Sequence, residues 1–220
     1  MGGIIARLPP HTASASRPVS PGQRLGSLIG GIFGLIYVEV NAGSLPEPWG
    51  MALRVAAGVA FAGLIVLLAL AGGPHTPADP GDRSGFGRGY WLVVAGEIAA
   101  IPAGAALLNG PAGLPHAVVG WVSVVVGVHF MVLAAIWRLR LLHLLGAAIT
   151  LCGVAAMTAA IIGAPSAVVA TVAGVLPGML LLAAGYAGAA GAVRRRPARG
   201  AARDPASGPE LDRREPGVAL

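Results

Sequence analysis

The chain has 220 residues, of which 55% are hydrophobic and only 11% charged, with a mean hydropathy of +0.76. A soluble domain carries about a quarter charged residues, so this chain has too little polar surface to face water, and an ordinary soluble enzyme is excluded. The net charge is +6 and all 15 basic residues are Arg. The absence of Lys removes Schiff-base chemistry and a phosphate-loop lysine. The arginines lack interleaved stacking aromatics, so nucleic acid is not an expected partner. With one cysteine, Cys152, no intramolecular disulfide can form. The Arg-only basic set and 34 Gly suggest a GC-rich bacterial genome.

Residues 1–24 hold Pro9, Pro10, Pro18 and Pro21 and read as a disordered cytoplasmic N-terminus. They do not read as a secretory signal, because the apolar core begins only at Leu25. About 20 apolar residues carry a helix across ~30 Å of hydrocarbon. By that measure residues 25–193 form a six-helix transmembrane domain, with spans near 25–42, 51–71, 90–108, 114–137, 141–162 and 167–193. The runs are too long, and too poor in alternation, for a β-barrel. The expected fold class is therefore an all-α, polytopic six-helix bundle.

In the first span, Gly26, Gly30 and Gly34 make a face suited to close helix packing. The connection Gly72–Gly89 is rich in Pro and charge and reads as a flexible loop, whereas Arg138-Leu139-Arg140 leaves almost no room between the fourth and fifth spans. Pro177 should kink the sixth span and free the carbonyl of Ala173. Residues 194–220, rich in Arg, Pro, Ala and Gly, read as a disordered basic cytoplasmic tail.

Short loops on the cytoplasmic side collect Arg. Arginines precede the first span, follow the second and fourth, and crowd the tail at Arg194, Arg195 and Arg196; Arg54 is the exception. This pattern places both termini in the cytoplasm of a bacterial inner-membrane, multi-pass protein. Trp91 and Trp137 fall at inner ends and Trp49 and Trp121 near outer ends, as interfacial belts require.

Ionisable groups at membrane depth are functional candidates by default. Glu97 lies seven residues beyond Tyr90, ~10 Å into the third span. It shares a small-residue face with Ala100 and Gly104, and Pro102 frees the carbonyl of Ile98 nearby. His129 lies in the fourth span. Glu97 precedes Ala112, the loop midpoint, by 15 residues and His129 follows it by 17, so the two stand within ~3 Å in depth. The spacing does not fix whether their faces meet. Glu39 and Arg54 flank the turn near Pro46 and read as a structural ion pair. His143 should reach the headgroups. No metal-ligand spacing and no cofactor motif is present.

The stretch Tyr90-Trp91-Leu92-Val93-Val94-Ala95-Gly96-Glu97, then Asn109-Gly110, then Gly127-Val128-His129-Phe130 and Trp137, resembles small bacterial integral membrane proteins of about six helices that have no established activity. The resemblance covers roughly a quarter of the chain and implies architecture without a mechanism. The expected function is a small proton- or cation-linked permease, with Glu97 as carrier and His129 as partner. The alternative is a non-catalytic membrane subunit or scaffold, binding a second copy or a membrane protein through its glycine face. A lipid-modifying enzyme built on Glu97, His129 and Asn109 is the weakest reading, since no nucleophile meets a base.

Overall fold

An apolar run in hydrocarbon has to satisfy every backbone N–H and C=O within itself, and an α-helix does so. The computed structural model describes residues 21–70 and 87–194. Among them are six long helices and no strand: α1 (Pro21–Asn41), α2 (Trp49–Leu70), α3 (Arg88–Asn109), α4 (Val118–Trp137), α5 (Arg140–Ile161) and α6 (166–194). α6 runs through Ser166–Ala170, a π-helical stretch Thr171–Val175, and Leu176–Arg194. All six are long and apolar enough to cross a membrane. The expected N-terminal segment 1–24, the loop 72–89 and the tail 194–220 lie outside the described residues except where they border helices.

Two helix starts differ by four residues from the expected spans, and the others by two or fewer. α1 begins at Pro21, ahead of residue 25, because the fixed φ of proline suits a first helical turn. α4 begins at Val118, after residue 114, because Pro115–Ala117 first form a 3-10 turn.

α1, α4, α5 and α6 make the centre, where each contributes one residue to a buried cluster of Tyr37, Val126, Ile149 and Leu181. α2 packs on α1 and α6 around Val38, Ala57, Val175 and Leu182. α3 lies at the opposite edge and packs mainly on α4. Helices in lipid gain little from hiding apolar surface from each other, so close approach at small residues has to supply the contact. That approach is tightest between α4 and α5. Gly127 opposes Gly146 and Gly120 opposes Gly153, and a Cβ added at Gly153 would stand 2.6 Å from the Val124 nitrogen.

α1 meets α6 in the same way at Gly34 and Gly178, where an added Cβ at Gly34 would stand 2.7 Å from the Gly178 carbonyl oxygen. The expected glycine face is thus engaged within the chain at Gly34. Gly30 stands at ordinary contact distance from the Leu181 carbonyl, and Gly26 faces open space. Crossed helices touch closely over only part of a stripe.

α4 and α5 end in the same hydrogen-bonded closure. Leu139 N–H donates to the Ala134 carbonyl and Ala164 N–H to the Ala159 carbonyl, in each case around a residue of positive φ. At the end of α5 that residue is Gly163, with φ 78°; at the end of α4 it is Arg138, with φ 55°.

Candidate functional site

α3 and α4 bring a carboxyl and an imidazole group together. His129 Nδ1 stands 2.9 Å from Glu97 Oε2, with the two side chains 13% and 23% exposed. The short connection after Asn109 sets the two residues at common depth, and the rotation of both helices turns them inward toward each other. Nδ1 makes no aligned hydrogen bond among the described residues, so the carboxyl and the imidazole are in close polar contact without a linear hydrogen bond. Such a pair can take up one proton and become neutral overall, whichever partner holds it. In low dielectric that change of charge alters the cost of burial strongly.

Trp121 bounds the pair on the side nearer the α3–α4 loop. Its Nε1 donates to the Ala100 carbonyl at 3.0 Å, and its indole lies against Gly104, where a Cβ would collide with the ring. Trp121, in the first turn of α4, also fills the small-residue face that Glu97 shares with Ala100 and Gly104. On its other side, His129 meets the neighbouring Phe130 ring edge-on at 5.7 Å.

A second polar group sits at the π-helical stretch of α6. Pro177 cannot donate to the Ala173 carbonyl four residues earlier, and the Ser123 hydroxyl of α4 donates to that oxygen instead. The sequence exposed the vacant acceptor but not its donor, since Ser123 lies 50 residues away. Asn41 rests on Gly174 and donates through Nδ2 to the Tyr37 carbonyl at 2.8 Å.

Tyr37 itself is buried, and its hydroxyl has no aligned partner among the described residues. Tyr37 packs against Val126, which on α4 is three residues from both Ser123 and His129. One face of α4 therefore connects the two polar places. Sequence reading passed over Tyr37, Ser123 and Asn41 because each is an unremarkable residue until α1, α4 and α6 are brought together.

Glu39 and Arg54 meet at this same C-terminal end of α1. Arg54 Nε donates to the Glu39 backbone carbonyl at 3.1 Å, while the carboxylate stands at 4.0 Å. The guanidinium also covers Gly43. Arg54 thus acts first on the carbonyl end of α1, where a cation favours the helix dipole, and only second on the carboxylate. Both side chains are more than a third exposed, so the ion pair itself is worth at most about 1 kcal/mol.

Among the described residues, no three His, Cys, Asp or Glu side chains gather as a metal set. Thr150 and Thr158 turn back onto the carbonyls of Gly146 and Val154 in their own helix. His143 is exposed at the start of α5. No protein-family model, curated protein or solved structure matches the chain.

Proposed function

We propose that this is a small proton- or cation-linked permease of the bacterial cytoplasmic membrane, with both termini in the cytoplasm. Glu97 is the carrier and His129 its partner. The observation that carries this reading is the 2.9 Å approach of a carboxylate and an imidazole from two helices, well inside the membrane-spanning lengths of both. Burying such a pair between helices is expensive, and a purely structural contact would be served as well by two apolar side chains. The π-helical stretch beside Ser123 supports the same reading, since π insertions gather at functional sites. The distribution of Arg supports the orientation.

Infrared titration of the purified protein in lipid tests the assignment. A carboxyl band that rises and falls with pH is expected in the native chain, is expected to be lost in Glu97→Gln, and to shift in pH in His129→Gln. In proteoliposomes with a trapped pH indicator, Glu97→Gln is expected to lower proton flux at least about ten-fold, the usual scale for removing a positioned acid or base. A carboxyl band indifferent to both substitutions, with unchanged flux, excludes Glu97 as the carrier. Reporter fusions at Leu220 check the orientation; activity of an extracytoplasmic reporter there would reverse it.

A second reading is a scaffold subunit. It draws on the edge helices, since only 11% of the α2 and α3 spans is buried within the chain. These broad apolar faces suit lipid or another membrane protein equally. A stable stoichiometric partner recovered in mild detergent would favour it.

A further inference from the structure

The two-residue link between α4 and α5 leaves a shallow, open recess of about 570 Å³, lined by Ala134, Ala135, Arg138, Arg140, His143 and Leu144. Its mouth is basic and its wall is apolar. Arg138, Arg140 and His143 are exposed, and no ion-pair partner is found for them among the described residues. Two rings fix its level: Trp137, beside the link, stacks on Tyr90 with centroids 6.3 Å apart, an aromatic pair of the kind that marks the headgroup layer.

The backbone adds an independent observation. Arg138 holds the left-handed position that closes α4, at φ 55°. The same closure on α5 uses Gly163, and the chain has 34 glycines. An L side chain is disfavoured in that conformation. A positive charge needed only to orient the helices in the membrane could stand at Leu139 without that strain. Arginine at position 138 places a guanidinium over the recess.

We infer that this recess binds the phosphate of an anionic phospholipid, with Arg138, Arg140 and His143 around the headgroup and an acyl chain along Ala135 and Leu144. A guanidinium pair suits phosphate oxygens. The apolar wall, continuous with the lipid-facing surface of α4 and α5, suits a phospholipid better than a free ion. This site is separate from Glu97 and His129 and does not depend on the function proposed for them.

The test uses the full chain purified from vesicles of phosphatidylcholine with a minor fraction of phosphatidylglycerol. Native mass spectrometry then counts retained phosphatidylglycerol. Arg140→Gln is expected to lower retention roughly 5-fold, the effect of one arginine near an anionic surface. Arg24→Gln, the same charge change at the start of α1, is expected to leave it unchanged. Arg138→Gly separates site from fold: it relieves the backbone, so thermal stability in phosphatidylcholine should hold or rise while retention falls. Equal loss in Arg24→Gln would reduce the effect to general surface charge and overturn the site. Undiminished retention in Arg140→Gln and Arg138→Gly would overturn it as well. Inorganic phosphate displacing the lipid at equal concentration would overturn the phospholipid as its ligand.

Discussion

Two of the neighbours of α4 are of opposite character. Toward α5 it offers Gly120 and Gly127, and the two backbones touch. Toward α3 it offers Trp121 and His129, and the contact runs through long polar side chains. The first boundary leaves no freedom, because any added atom meets backbone. The second is held by a few side chains on a helix with essentially one neighbour. Segments with few buried contacts open at lower cost than the core. The comparison teaches a division of labour: α1, α4, α5 and α6 form the fixed frame, and α3 is the helix that can shift and carries the ionisable carboxylate.

The sharpest way to break that comparison is to place the same side chain on both boundaries. Gly153→Leu should cost more than about 3 kcal/mol, because neither the Val124 nitrogen nor the Gly120 carbonyl can yield. On the α3 side, Gly104→Leu meets only the Trp121 ring, a side chain that can turn away, and should cost about 1–2 kcal/mol. Unfolding in mixed micelles measures both, and equal losses would refute the division. Ser123→Ala comes next. It removes the donor to Ala173 and should cost about 1 kcal/mol, the usual worth of an interhelical hydrogen bond in a membrane; no change would mean that the π-helical stretch does without that donor. The smallest effect is expected from Arg54→Gln, about 0.5 kcal/mol by the same measurement, with no change in the Glu97 infrared band.

The number of helices was legible because hydrocarbon thickness imposes a length on apolar runs. The common depth of Glu97 and His129 was legible too, since a short loop fixes how far down each helix a residue lies. Their mutual orientation was not, because helix rotation is set by packing with other helices. The same limit explains Ser123. Pro177 announced a vacant carbonyl, but nothing local named a donor on α4. The glycines of α4 and α5 carried an unread signal: Gly120 and Gly127, like Gly146 and Gly153, are seven residues apart, a spacing that keeps one face over two turns. Gly26, Gly30 and Gly34 drew attention by their shorter spacing, yet only Gly34 reaches the tightest crossing.

The abruptness of the turn at Leu139 has a consequence for biogenesis. Two membrane-length helices joined by Arg138 and Leu139 alone cannot enter the bilayer far apart in time, since the first would have to wait with its partner still tethered at the surface. They should insert together as a hairpin, their glycines already in register. An early-formed pair of this kind gives the remaining four helices a finished surface on which to assemble.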